Sequence, residues 1–184
     1  MQVTRIFKII VVGTVLMIGM CATTIAADRT PVLDAVNVSF ELLNRDGEVV
    51  READFQGRNV LLAFGFTNCL HVCPLIAANM ARALKMAKMD AVGIFISVDT
   101  ERDSAAIVDD YARGFGDQMI GLGGSYEQVS AAVNNFNATF VVTKTADNYT
   151  VQHTPSIFLI GPDGKLIDVF AINTASQIIA DAMK

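Results

Sequence analysis

Residues 60–74 read VLLAFGFTNCLHVCP and combine an apolar run with two cysteines that are four residues apart. Val60–Phe66 is a continuous apolar run bounded by polar residues, which is typical of a central β-strand buried on both faces. A helix is predicted over Pro74–Met89, because apolar side chains recur there at helical spacing. Cys69 and Cys73 therefore lie where the chain passes from a central strand into a helix.

Strands and helices alternate along the rest of the chain. In chain order we predict a β-hairpin with strands Val38–Leu43 and Glu48–Arg51 around the turn Asn44–Gly47, the strand Val60–Phe66, the helix Pro74–Met89, the strand Val92–Val98, helices Ser104–Phe115 and Ser125–Asn135, a short strand Ala138–Val142, strands Ser156–Ile160 and Lys165–Phe170 around the turn Gly161–Gly164, and a helix Thr174–Met183. A β-α-β crossover implies a parallel strand pair, and the closing hairpin adds antiparallel strands. This order predicts an α/β protein with a thioredoxin-like fold, in which a central mixed sheet carries an N-terminal β-hairpin and an inserted helix and hairpin.

Two of the predicted helices carry capping signals at their first turns. Ser125 is followed three residues later by Gln128, which is the spacing of a capping box. Thr174 and Gln177 have the same spacing, so we predict that Thr174 caps the final helix.

Composition bounds the class of protein. The chain has 184 residues, of which 52% are hydrophobic, so it suits one domain with a substantial core. Its formal net charge is −5 with only 14 Lys and Arg residues. Because phosphate neutralisation requires a basic surface, nucleic acid is not an expected partner.

Residues 1–27 have the pattern of an export signal. Arg5 and Lys8 precede the uncharged segment Ile9–Ala27, which ends in small residues next to Ala26 and Ala27. A basic start, an apolar centre and small residues at the end describe a secretory signal peptide.

Two alternatives to a cleaved signal remain for this segment. Its uncharged part is just long enough to span a bilayer as a retained anchor. Cys21 suggests lipid attachment, although Met20 stands where such sites prefer a small residue. In each case we expect an exported protein, either periplasmic or attached to the membrane facing the periplasm, with residues 28–184 forming the domain.

The two cysteines of the domain are suited to chemistry. Cys69 and Cys73 are four residues apart, so a forming helix places both sulfurs on one face. The N–H groups and dipole of a helix N-terminus favour the thiolate. Thiolates are nucleophiles and soft metal ligands, so redox chemistry and metal binding are both possible. A structural disulfide is the alternative reading for an exported protein.

His153 is predicted to join the cysteines. It precedes the strand Ser156–Ile160, which we expect to run antiparallel to the central strand, so that its start lies at the edge where Cys69 and Cys73 lie. The other histidine, His71, stands between the cysteines. Two thiolates and an imidazole suit copper in either oxidation state, whereas zinc normally requires a fourth ligand.

A polar loop reaches the same edge of the predicted sheet. Asp99–Asp103 follows the strand Val92–Val98 and precedes the next helix. We interpret this loop as a solvated segment that caps the helix, with an effect of Asp99 on a cysteine or a contact of Asp99 with a partner as the alternative.

Three stretches of the chain stand out as motifs in a fixed order: Phe64–Pro74, Ser97–Asp103, and His153 together with Leu159–Gly164. In these stretches the sequence resembles the Sco/SenC family of copper-binding, thioredoxin-like cytochrome c oxidase assembly proteins, whose motifs they match in the same order. The similarity covers roughly residues 35–184.

The resemblance implies a site, a metal and partners. Its copper ligands would be Cys69, Cys73 and His153, which would hold Cu(I) or Cu(II). The recipient would be the copper-bearing subunit of cytochrome c oxidase or another copper protein. Proteins of this family help to build the dinuclear copper centre of that subunit. A thiol-disulfide reductant would keep the cysteines reduced.

A competing hypothesis is a thiol-disulfide oxidoreductase in which Cys69 attacks and Cys73 resolves the mixed disulfide. Copper sensing or redox signalling would use the same chemistry.

This sequence departs from the family pattern close to the site. Leu70 and His71 replace the usual Pro and Asp after the first cysteine, and Gln152 stands where an acid is common. We expect His71 at the edge of the site rather than among the ligands. Pro155 resembles the cis-proline of thioredoxin-like oxidoreductases, so we predict a cis Thr154–Pro155 bond whose ring would crowd the sulfurs.

Overall fold

The computed structural model describes residues 33, 36–144, 146 and 149–184. The predicted signal or anchor, residues 1–27, lies outside this part of the chain. Across the described ranges, none of the helices combines the length and the apolar character that crossing a bilayer would require.

The described residues form nine strands and four α-helices. The strands are β1 (Glu41–Leu43), β2 (Val49–Arg51), β3 (Asn59–Gly65), β4 (Ala91–Ser97), β5 (Met119–Leu122), β6 (Phe140–Lys144), β7 (Tyr149–His153), β8 (Ser156–Ile160) and β9 (Leu166–Ala171). The helices are α1 (Val72–Ala87), α2 (Ala105–Arg113), α3 (Tyr126–Asn135) and α4 (Ser176–Ala182), and a short 3₁₀ helix spans Glu52–Phe55.

The central sheet is mixed and has the order β5-β4-β3-β8-β9. Strands β3, β4 and β5 are parallel, whereas β8 is antiparallel to β3 and β9 is antiparallel to β8. Strands β1 and β2 form the N-terminal hairpin, and β6 and β7 form a separate inserted hairpin. The predicted α/β fold with its mixed sheet is therefore confirmed.

Strand β3 contributes side chains to two hydrophobic cores, one on each face of the sheet. All seven of its residues are buried. Leu61 and Ala63 pack in the core under α1, while Leu62 and Phe64 pack in the core under α3. Because side chains alternate along a strand, a run that is apolar at every position fits a place between two helical layers.

Strand β5 was not predicted from the sequence. It is only four residues long and contains Gly121. A Cβ atom at Gly121 would lie 2.2 Å from the backbone carbon of Val108, so α2 packs directly against the backbone of this edge strand. A short strand with a glycine has little apolar periodicity, although this glycine is what allows the close packing.

The prediction that Thr174 caps the final helix is wrong. Helix α4 starts at Ser176, and its N-cap residue, Ala175, makes no side-chain capping bond. The amide of Thr174 donates instead to the carbonyl of Ala171 in a turn. Gln177 donates to Asp181 along the helix.

The prediction of a cis Thr154–Pro155 bond is also wrong, because the described residues contain no cis peptide bond. The amide of Thr154 donates to the carbonyl of Thr139 over 2.9 Å and so prolongs the pairing of β6 with β7. The chain then continues extended into β8 with the trans isomer, which X–Pro bonds favour by about 0.5–1 kcal/mol. Crowding of the sulfurs by a cis ring therefore does not arise.

The capping box at the start of α3 is confirmed and gives a stability prediction. Ser125 Oγ accepts from the Gln128 amide over 3.3 Å, and Gln128 Oε1 accepts from the Ser125 amide over 2.9 Å. Ser125→Ala should lower the free energy of unfolding by about 1 kcal/mol, the usual value of an N-cap. Urea denaturation followed by circular dichroism measures this change.

Thr174→Ala is the matched control for the loss of the cap, because Thr174 was predicted to have the same role and does not have it. It should change the free energy of unfolding by less than about 0.5 kcal/mol. Equal losses in the two variants would contradict the assignment of the caps.

Candidate metal centre

The two cysteines lie on the turn that joins β3 to α1. The amide of Cys69 donates to the carbonyl of Phe66 over 3.3 Å and closes this turn. The amide of Val98 donates to the carbonyl of Gly65 over 2.8 Å, which ties the end of β3 to the chain leaving β4. Cys69 Sγ in turn accepts from the amide of Cys73 over 3.4 Å. The end of the sheet thus fixes one sulfur over the first turn of the helix.

Cys69 is the more accessible and the more acidic thiol. Its side chain is half-buried and both thiols are free. Partial burial acts to raise the pKa of Cys69, but hydrogen bonds from the Cys73 thiol and from the amides of Cys73, His71 and Val72 outweigh it, and the pKa lies below its usual value. These amides belong to the start of the helix, where N–H groups are free to stabilise a negative charge.

Cys73 is fully buried and is held as a thiol. Burial and its hydrogen bond with Cys69 raise the pKa of Cys73 far above the usual range. A Cβ atom at position 65 would stand 3.2 Å from Cys73 Sγ and 2.3 Å from the ring of Phe95. Gly65 therefore leaves the space in which this sulfur lies.

His153 faces Cys73 with the lone pair of its Nε2 atom. It is the last residue of β7, and its Nε2 lies 3.3 Å from Cys73 Sγ. Its Nδ1 lies 3.1 Å from the carbonyl oxygen of Thr154, which can only accept, so Nδ1 carries the proton. Burial lowers the pKa of His153, although the bond to Thr154 partly opposes it. The imidazole is therefore neutral at pH 7, with Nε2 available as a ligand.

The inserted hairpin that carries His153 is attached at its far end. Tyr149 OH donates to Asp99 Oδ1 over 2.5 Å, and the guanidinium of Arg102 lies 4.0 Å from the centre of the Tyr149 ring. Lys144 donates to Glu101 over 2.6 Å. The loop after β4 thus holds the hairpin whose base presents the imidazole.

Two residues that depart from the family pattern lie on the surface. Leu70 has 82% of its surface exposed, and His71 is exposed as the N-cap residue of α1. His71 makes no side-chain capping bond. The residues that the structure brings into contact are Cys69, Cys73 and His153.

The prediction of a solvated loop after β4 is wrong for two of its carboxylates, which are buried. Asp99 is 1% exposed and Asp103 is 4% exposed. Asp103 reaches the cysteine turn, where it accepts from the amide and hydroxyl of Thr67 over 2.8 and 2.6 Å. The position of Asp103 at the carboxyl edge of the sheet was the available signal, but spacing alone does not show which loop residue turns inward.

The three side chains have donor atoms that suit a soft metal. Two sulfurs and a neutral imidazole nitrogen match the preferences of copper, above all Cu(I). Within the described residues, no group of three or more His, Cys, Asp and Glu side chains already has the arrangement that holds a metal ion. Copper binding by these three would require loss of the thiol protons.

A mixed sheet with two thiols after its central parallel strand and a facing imidazole defines a thioredoxin-like protein with a thiol–imidazole site. Residues 29–184 match the family described as SCO1/SenC. The chain belongs to this family.

Individual relatives support this membership. The chain is 33% identical to "Protein sco1" of Schizosaccharomyces pombe over 154 residues, which are 79% of this chain but only 58% of that longer protein. The crystal structure of Arabidopsis thaliana ScoI with copper bound has 31% identity and a TM-score of 0.75, covering 80% of this chain and 94% of that one. BsSco, described as a cytochrome c oxidase assembly protein with a disulfide switch, has 28% identity and a TM-score of 0.62, covering 80% and 91%.

The difference in burial predicts the order in which the thiols react. Iodoacetamide should modify Cys69 at least about tenfold faster than Cys73, because Cys69 is accessible and more ionised. Both cysteines lie in the tryptic peptide 59–82, so fragmentation of this peptide by mass spectrometry shows which sulfur is modified.

The urea-denatured protein is the control, since both thiols should then react at similar rates. Faster modification of Cys73 in the folded protein would contradict the geometry of the site.

Proposed function

We propose that this chain is a copper-binding metallochaperone that delivers copper to the dinuclear copper centre of cytochrome c oxidase, or matures that centre. Cys69, Cys73 and His153 hold the metal as cargo. The observation that carries the proposal is the 3.3 Å contact between Cys73 Sγ and the unprotonated Nε2 of His153, with Cys69 beside them. Membership in the SCO1/SenC family and the copper-bound Arabidopsis relative support it.

The three ligands differ in exposure, and this difference suits transfer. Cys69 is half-buried at the surface, whereas Cys73 is fully buried. A thiol of the recipient reaches copper most easily by displacing Cys69, while Cys73 and His153 retain the ion until the recipient supplies a second ligand. Such stepwise exchange moves copper without releasing it to solvent.

The proposed partners and location follow from the same chemistry. The recipient is the copper-bearing subunit of cytochrome c oxidase or another copper protein. A thiol-disulfide reductant returns Cys69 and Cys73 to the dithiol, because a disulfide cannot bind copper as two thiolates. The protein acts outside the cytoplasm, in the periplasm or on the membrane facing it, and residues 1–27 supply the signal or anchor.

A second function uses the thiols without the metal. The low pKa of the accessible Cys69 and the burial of Cys73 suit a thiol-disulfide oxidoreductase. Cys69 attacks a disulfide of an exported protein, and Cys73 then releases the reduced partner. Two electrons and two protons pass to the partner, and the chain is left with a Cys69–Cys73 disulfide. BsSco, described with a disulfide switch, supports this alternative.

An anaerobic titration with Cu(I) tests the first function. The reduced protein should bind one equivalent of Cu(I) in competition with a chelator specific for Cu(I). Binding that is weak or not stoichiometric would overturn the metallochaperone proposal and leave the oxidoreductase. The oxidised protein is the control and should bind no tight equivalent.

A further inference from the structure

We propose that Asp103 is a positioning residue for the thiol pair and acts through Thr67. Its carboxylate accepts three hydrogen bonds: Oδ2 accepts from the Thr67 amide over 2.8 Å and from Ser97 Oγ over 2.6 Å, and Oδ1 accepts from Thr67 Oγ1 over 2.6 Å. Only 4% of Asp103 is exposed. We call these three hydrogen bonds of Asp103 to Thr67 and Ser97 the clasp, and it fixes Cys69 with respect to Cys73.

The loop after β4 is folded so that Asp103 points back to the sheet edge. The amide of Asp103 donates to the carbonyl of Asp99 over 2.9 Å. Ser97 Oγ accepts from the amide of Asp99 over 3.1 Å and donates to the carboxylate of Asp103. Helix α2 begins two residues later, with Ser104 as its N-cap. The carboxylate is thus fixed by β4, by its own loop and by a helix start.

Thr67 transmits this position to the nearer sulfur. Its backbone and its side chain are both bound by one carboxylate, so its position and rotamer are fixed together. Thr67 is the second residue of the turn that the Cys69 amide closes on the Phe66 carbonyl. Cys69 follows two residues later, with Sγ against the amide of Cys73. A shift of Thr67 therefore moves Cys69 relative to the helix start.

The expected consequence concerns the closure of the thiol pair. Two thiols form a disulfide readily when the fold holds them close, because their effective concentration with respect to each other is high. Without the clasp the turn samples more conformations, and the effective concentration falls. The inference depends on the proposed function only in that Cys69 and Cys73 are the working thiols, and its test uses no copper.

The test is the equilibrium with glutathione. The reduced protein reacts with glutathione disulfide to give the protein disulfide and two glutathione thiols, so two electrons and two protons pass to glutathione. Asp103→Ala should lower this equilibrium constant about tenfold, which corresponds to a shift of roughly 30 mV for a two-electron couple. Thr67→Val removes only the hydroxyl bond and should lower the constant about threefold. Thr67→Ser keeps that bond and should stay within twofold of the wild type.

Asp109→Ala is the matched control. Asp109 is also buried, with 2% exposed, and its carboxylate accepts from the Gly121 amide over 3.0 Å and from Arg113 over 2.6 Å. Its removal costs stability at α2 and should leave the glutathione equilibrium within twofold, while urea denaturation measures the stability of every variant.

Three results would overturn the inference: Asp103→Ala within twofold of the wild type, an equal change in Asp109→Ala, or equal constants for Thr67→Val and Thr67→Ser. If Asp103→Ala does not fold, the comparison of the two Thr67 variants decides. A wild-type protein that fails to bind Cu(I) would refute the metallochaperone and would leave this result unchanged.

Discussion

His153→Ala should lower the affinity of the reduced protein for Cu(I) by at least about 100-fold and leave its thiol-disulfide exchange largely intact. Changes to groups that only support a metal ligand already cost 10- to 100-fold, so loss of a ligand should cost more. Copper depends on the Nε2 lone pair that faces Cys73 at 3.3 Å. Exchange depends on the two sulfurs and on the helix amides at Cys69, and the substitution leaves all of these in place although it removes the imidazole beside Cys73.

The measurement pairs two assays on the same variant. Competition with a Cu(I) chelator gives the affinity, and the rate of reaction with glutathione disulfide gives the exchange activity. His71→Ala is the matched control, because His71 is the other histidine and stands between the cysteines but is exposed. It should keep Cu(I) affinity within about threefold. Unchanged affinity in His153→Ala, or a comparable loss in His71→Ala, would show that the three-ligand assignment is wrong.

The sequence predicted the strand, turn and helix around the cysteines because their signals are local. The apolar run of β3 and the spacing of apolar residues in α1 each reflect burial against a continuous layer. His153 was placed from strand direction alone, and the antiparallel pairing of β3 with β8 is observed. The contact with Cys73 follows from this pairing, since the base of the β6–β7 hairpin is adjacent to the start of β8.

Features that depend on contacts between distant segments were not visible in the sequence. Loop carboxylates are usually solvated, so the sequence predicts a solvated Asp103. The carboxylate is instead buried and hydrogen-bonded to Thr67 and Ser97, which belong to two other elements. Strand β5 was not predicted because Gly121 interrupts its apolar pattern. The packing of α2 against this strand nevertheless requires a glycine at position 121. The bond before Pro155 is trans, whereas the cis prediction rested on resemblance to other thioredoxin-like proteins.

Cys73→Ser should trap a mixed disulfide between Cys69 and glutathione, whereas Cys69→Ser should slow the reaction with glutathione disulfide by at least about 100-fold. The nucleophile must be both ionised and accessible, and only Cys69 combines a lowered pKa with partial exposure. Cys73 is fully buried, and its pKa is raised by that burial and by its bond with Cys69. It can act only after Cys69 has reacted.

Intact-mass measurement after acid quenching distinguishes the two variants and the wild type. Wild type should pass to the internal disulfide without accumulating the glutathione adduct, because Cys73 lies beside the adduct sulfur and displaces glutathione. A persistent adduct in Cys73→Ser and none in Cys69→Ser establishes the order of attack, and the reverse pattern would refute it. Both variants should also lose the tight Cu(I) equivalent. If Cys69 attacks first and Cys73 resolves the adduct, but the wild type binds copper only weakly, the protein is the oxidoreductase. Thiol-disulfide exchange requires only the two sulfurs, whereas copper binding also requires His153.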